Sequence, residues 1–103
     1  MTDPMRVRAI ETGGVTEVKI LMKHDMETGL RKDSAGKLVP PHFIQNVSVK
    51  HQDREVLAAQ FGTAISKDPF LAFKFKGGAK GEKITVTWLD NLGEKRSDEA
   101  LIA

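Results

Sequence analysis

Three histidines, His24, His42 and His51, carry the widest chemical range in this chain of 103 residues. An imidazole can act as acid, base or metal ligand near neutral pH. His24 stands between Met22 and Met26, and His42 follows the Pro40-Pro41 step. Thioethers beside an imidazole suit copper, so a copper site on Met22, His24 and Met26 is one reading. The spacing matches no metal-ligand motif. Met22 also falls on the apolar side of an alternating run, where a core role explains it. The expectation is therefore no metal and no cofactor.

Other chemistry finds little support. Ser34, Ser48, Ser66 and Ser97 have no nucleophile motif around them, and Gly-x-Ser-x-Gly is absent. The pairs Asp25/Glu27 and Asp98/Glu99 lie in polar stretches, as solvated charges do. Gly77-Gly78-Ala79-Lys80-Gly81 lacks the strand-to-helix setting of a phosphate loop. The chain contains no cysteine. Disulfides, thiolate metal sites, cysteine nucleophiles and covalent sulfur carriage on this chain are thereby excluded. It is expected to bind and not to catalyse.

The elements that must position these residues read as strands. Period-two runs lie between turn residues at Met5–Ile10, Val15–Lys23, Phe43–Lys50, Arg54–Phe61, Phe70–Lys76, Glu82–Leu89 and Glu94–Ile102. In the sharpest, Ile84, Val86 and Trp88 face one way and Thr85 and Thr87 the other. No 11-residue window holds a helical stripe. The pattern predicts an all-β sandwich of about seven antiparallel strands, one domain over residues 1–103, with residues 1–5 loose.

Several apolar residues fall out of phase with the inward sets: Leu21, Ile44, Leu57, Phe70 and Leu89. If outward, they form an apolar patch for a protein partner. Ile44, Phe70 and Leu89 are the chosen candidates. The connection from His24 to Lys37 is a second candidate surface, with His24, Met26, Glu27, Gly29, Arg31 and Lys32 in it. An isolated chain could self-associate through a vacant apolar patch, giving a homodimer.

Charge adds a mild bias. Sixteen bases against fourteen acids give a net charge of +2. Arg31, Lys32 and Lys37 cluster in the connection, and Lys74, Lys76, Lys80 and Lys83 are expected along one hairpin. No aromatic residues interleave these lysines at outward positions, so nucleic acid is not expected as a partner. No apolar run approaches the roughly 20 residues of a membrane span. The start, Met-Thr-Asp-Pro-Met-Arg-Val-Arg, lacks the apolar core of a signal peptide. The chain is expected to stay in the cytoplasm, or to cross a membrane by means other than a signal of its own.

Three segments together resemble one family. The run from His24 through Gly29 and Asp33-Ser34-Ala35-Gly36 to Pro40, followed by Phe43-Ile44, is similar to the SoxZ family of sulfur-oxidation proteins. Ser66-Lys67-Asp68-Pro69-Phe70 resembles its Ser-x-Asn-Pro-aromatic step, with Asp68 in place of asparagine. Gly81 to Gly93 resembles its Thr-Trp-x-Asp-x-x-Gly strand and turn, with Leu89 where an aromatic is common. The resemblance implies an immunoglobulin-like sandwich. It implies a heterodimer with a SoxY-like subunit, whose C-terminal-arm cysteine carries covalent sulfur intermediates of thiosulfate oxidation. It also implies transient contact with the Sox pathway enzymes, and a periplasmic location reached by export with the partner. It brings no catalytic residue to this chain.

Overall fold

A computed structural model describes residues 2–103. Alternation of apolar and polar residues produces seven strands: β1 Arg6–Thr12, β2 Val15–Leu21, β3 Ile44–His51, β4 Arg54–Gln60, β5 Phe70–Lys76, β6 Lys83–Asp90 and β7 Lys95–Leu101. They form two antiparallel sheets, one in the order β1-β2-β5 and one in the order β4-β3-β6-β7. The apolar positions of the two sheets face each other. Val18 and Ile20 of β2 meet a layer of Val47 and Val49 of β3 and Ile84, Val86 and Trp88 of β6, all buried. Burial of such faces is the main stabilising term in a sandwich.

Two irregularities change which residues face inward. The β3–β6 register shifts between Ile44 and Asn46, so Ile44 and Val47 both point to the core. Ile44 is wholly buried, and its expected outward orientation is corrected: a strict period of two cannot continue through a bulge. The β3–β4 register shifts between Val49 and Lys50, and there Val56 and Leu57 both pack partly against the core. Leu21, at the end of β2, is half-buried.

The two sides of the sandwich are closed unequally. Beside β1, the Ala103 N–H donates to Ala9 O at 2.8 Å and Ala103 O accepts the Glu11 N–H at 3.0 Å, while Ile102 is buried in the core. On the other side β4 and β5 are the edge strands of their sheets. The expected loose start does not extend through Met5. That residue is buried, and its N–H donates to Asp98 Oδ2 at 2.9 Å. Met1, part of the same expectation, lies outside the described residues.

Candidate functional site

β2 leads into Met22, and the chain returns to the second sheet only at Ile44. The connection between folds as an irregular hairpin. Glu27 and His42 form an isolated bridge, as do Lys32 and Leu38. At its tip Asp33 Oδ1 accepts the N–H groups of Ala35 and Lys37, at 2.9 and 3.0 Å. Gly29, with φ of +87°, lies where a Cβ would come within 3.2–3.3 Å of the Pro41 ring, so both backbone and space favour glycine there.

Beneath this hairpin sits a cluster of two histidines and one aspartate. Asp90, the last residue of β6, is buried. Its Oδ2 accepts hydrogen bonds from His24 Nε2 at 3.1 Å and His42 Nε2 at 2.7 Å. Its Oδ1 accepts the N–H groups of Leu92 at 3.0 Å and Glu94 at 2.9 Å, which closes the β6–β7 turn. Burial pushes the Asp90 carboxyl up, but these four hydrogen bonds outweigh it and hold the group below its ordinary value. Asp90 is therefore an ionised acceptor, and both imidazoles must donate through Nε2. For His24 a second contact agrees, because its Nδ1 accepts the Met26 N–H at 3.1 Å.

The surroundings fix the cluster further. The indole of Trp88 stands edge-on to His24, ring centroids 5.2 Å apart and planes at 90°. His24 and His42 are 4.5 Å apart. Asp68 Oδ1 accepts the His24 N–H at 3.1 Å, and the Asp68 N–H donates to His24 O at 2.9 Å. Asp68 has φ of +53°, the left-handed region in which asparagine and aspartate are enriched.

The arrangement suits support better than reaction. Ligand atoms of His24, His42 and Asp90 lie within 4.8 Å of one another. A cation there would have to strip the Nε2 proton from each histidine. His24 could not move its proton to Nδ1, which already faces the Met26 N–H. The copper reading meets a second obstacle in packing: Met22 is wholly buried in the core, and Met26 Sδ accepts the Ile44 N–H at 3.3 Å. The polar recess beside the cluster, about 290 Å³, is lined by His24 and His42 together with Lys23 and Lys67 and the acids Asp25 and Glu94.

The other candidates are spread over the surface. Glu27 and Arg31 form a two-pronged ion pair, Arg31 Nη2 to Glu27 Oε1 at 2.7 Å and Nε to the carboxylate at 3.0–3.1 Å. The Arg31 guanidinium holds the Glu27 carboxyl below its ordinary value. Lys32 is exposed near the hairpin tip. Phe70 is 63% exposed on the outside of the β1-β2-β5 sheet, in register with Leu21. Leu89 is 38% exposed on the outside of the other sheet, between Asn46 and Lys95. Phe70 and Leu89 therefore belong to opposite faces, and with Ile44 buried the three form no single patch.

The expected basic hairpin is also corrected. β5 and β6 lie in different sheets, so Lys74 and Lys76 are separated from Lys83, which pairs with Glu99 at 3.7 Å. The sequence reading missed Asp90. Its place just beyond Trp88, at the end of an alternating strand and before a glycine turn, was the available signal.

The fold has relatives among solved structures. Superoxide reductase (neelaredoxin) from Archaeoglobus fulgidus in the reduced form aligns with a TM-score of 0.66 at 19% identity, covering 96% of this chain and 88% of its own. A superoxide reductase in the oxidized state aligns at 0.65 and 14% identity, covering 96% and 86%. The hypothetical protein PH1083 from Pyrococcus horikoshii aligns at 0.64 and 16%, covering 98% and 87%. At these identities the likeness concerns the fold alone, an immunoglobulin-like sandwich. No curated protein matches the chain in sequence. The family model for sulphur oxidation protein SoxZ matches residues 5–101. That span runs from Met5 through all seven strands, and the chain belongs to the SoxZ family of sulphur oxidation proteins.

Proposed function

We propose that this chain is the non-catalytic subunit of a heterodimeric sulfur carrier in thiosulfate oxidation. It pairs with a SoxY-like subunit whose C-terminal-arm cysteine carries the covalent sulfur intermediates, and it helps present that subunit to the pathway enzymes. The complex works in the periplasm, where the Sox system operates. The observation that carries this reading is a family match across residues 5–101 in a chain without cysteine. A sulfur-oxidation protein that has no thiol leaves the sulfur to a partner.

Leu89 is the exposed apolar residue we assign to that permanent partner. Around it on the outer face of the β4-β3-β6-β7 sheet lie Asn46, Ser48, Ala58, Thr87 and Ser97, all small or uncharged. Lasting interfaces are depleted of charge at their centre, and the row Ala58-Ser48-Thr87-Ser97 beside Leu89 fits that rule, with Lys95 across from Leu89 and the remaining charges of the face around it. From the connection, His24, Met26 and Gly29 hold the hairpin in shape, while Glu27, Arg31 and Lys32 are offered as rim contacts.

Co-expression with the cysteine-bearing subunit, followed by size-exclusion chromatography with light scattering, tests the reading. A 1:1 heterodimer is expected. A chain that stays a monomer or homodimer beside an equimolar amount of that subunit overturns it.

A further inference from the structure

We infer that the outer face of the β1-β2-β5 sheet docks an acidic protein surface in short-lived encounters. The strand register sets its composition. Across the sheet run the rows Arg6-Leu21-Phe70, Arg8-Lys19-Ala72, Ile10-Glu17-Lys74 and Thr12-Val15-Lys76. Five of these residues are basic and one is acidic, in a chain whose net charge is only +2. Lys19 pairs with Glu17 at 3.8 Å, and among the described residues Arg6, Arg8, Lys74 and Lys76 have no ion pair. The opposite outer face mixes Lys50, Lys83 and Lys95 with Glu55 and Glu99.

One pairing on this face works against the stability of the free chain. Arg8 lies directly across from Lys19 in the β1–β2 register. Like charges in that position destabilise a sheet, and opposite ones stabilise it. Glu17 offsets part of this, 3.8 Å from Lys19 and across from Lys74, but Arg6, Arg8 and Lys76 have no acid in register. An anionic surface laid over the rows converts the repulsion into attraction.

The apolar residues choose the class of anion. Ile10 is 51% exposed, Val15 37% and Phe70 63%, set among the bases. Such residues give contact area to a protein surface that carries carboxylates among its own apolar groups. A nucleic acid would be met by several aromatic platforms, and Phe70 is the single aromatic residue on this face. Complementary charge of this kind mainly speeds encounter and confers salt sensitivity, which suits partners that must leave again. The inference rests on the carrier reading only for who those partners are: the proteins that act in turn on the cysteine-borne sulfur.

The test compares two double charge reversals in the full chain, Lys74→Glu/Lys76→Glu on this face and Lys50→Glu/Lys95→Glu on the other. Both pairs are exposed, and thermal unfolding confirms that each variant folds. In a first arm, poly-L-glutamate and a single-stranded oligothymidylate are titrated against each protein at low salt. Poly-L-glutamate affinity is expected to fall about tenfold for the first pair and less than about twofold for the second. Equal losses mean that only net charge matters, and they overturn the inference. Tighter binding of the oligothymidylate, lost in the first pair, overturns it in favour of nucleic acid.

In a second arm the heterodimer carries only the Lys74→Glu/Lys76→Glu pair and is compared with the unmodified heterodimer, because Lys95 lies beside Leu89 on the face assigned to the permanent partner. The first pair should leave co-purification intact while slowing association with acidic pathway enzymes about tenfold, with the difference shrinking as salt rises past about 0.15 M. Loss of the heterodimer itself in the first pair overturns the inference and leaves the carrier reading standing. Failure of the unmodified chain to form a heterodimer removes that reading, and the poly-L-glutamate arm still decides the face.

Discussion

His24 and Asp90 are 66 residues apart in sequence, yet the Nε2–H of one meets the Oδ2 of the other at 3.1 Å inside the protein. That contact ties the connection after β2 to the end of β6. With His42 on the same oxygen and two backbone N–H groups on Oδ1, every acceptor position of Asp90 faces a donor.

Asn at position 90 keeps the shape but turns one oxygen into an NH2 donor. In either orientation that group faces donors: the histidines in one, the Leu92 and Glu94 N–H groups in the other. Asp90→Asn is therefore expected to cost about 2–4 kcal/mol, more than a single neutral hydrogen bond. Urea unfolding followed by the fluorescence of Trp88, the sole tryptophan, measures it. A loss under about 0.5 kcal/mol would show that the cluster does not hold the connection.

The same carboxylate sets a pH dependence. Asp90 is held below its ordinary value in the folded state by the bonds described above, and Asp98 likewise, first by Arg96 and also by the Met5 N–H. A carboxylate lowered by folding adds stability that is complete above its unfolded value, about 4, and is lost as pH falls through the folded value. Stability is expected to hold from neutral pH down to about pH 4 and to decline below it. The decline should be shallower in Asp90→Asn. Identical slopes for the variant and the unmodified chain would contradict the lowered value.

Gly78 is predicted to resist substitution more than other turn glycines. With φ of +85°, it lies where an added methyl would strike Thr16 Oγ1 and come within 3.1 Å of Ile102 Cδ1. Thr16 is buried and its hydroxyl donates to Gly77 O at 2.7 Å, so it cannot yield freely. Gly13, with φ of +59°, has open space around its own missing Cβ. Gly13→Ala is expected to cost about 1 kcal/mol from backbone strain alone, and Gly78→Ala at least about 2 kcal/mol more. Paired thermal melts decide it, and equal losses would mean that the Thr16 contact relaxes.

Much of the fold was legible because alternation survives wherever a strand has one buried face. Phe70–Lys76 is observed with the bounds its pattern implies, and Trp88 takes the inward place that the alternation assigns it. The misreading of Ile44 came from a bulge, which inserts a residue without altering composition. The lysines of β5 and β6 looked like one group because they are close in sequence. Sheet membership, which separates them, depends on long-range pairing that local pattern does not encode. The cluster was half visible. His24 and His42 drew notice as titratable residues, but their partner lies 66 and 48 positions away and is an ordinary strand-end aspartate.

Aspartate substitution at Ile44, Leu89 and Phe70 should separate three roles that the sequence had joined. Ile44 is wholly buried, and a carboxylate there would lose its hydration with no cation at hand, so Ile44→Asp is expected not to fold. Leu89 is 38% exposed beside the uncharged row Ala58-Ser48-Thr87-Ser97, with Lys95 across from it, and Leu89→Asp should change stability by less than about 1 kcal/mol. It should still weaken the heterodimer by at least about tenfold, because a charge at the middle of a lasting interface must be desolvated. Phe70, at 63% exposure on the basic face, should tolerate aspartate in both respects and keep its permanent partner. Thermal melts of each variant, set beside pull-down by the cysteine-bearing subunit, distinguish these outcomes. If Phe70→Asp loses the heterodimer while Leu89→Asp retains it, the two faces have exchanged roles, and the permanent partner occupies the basic sheet.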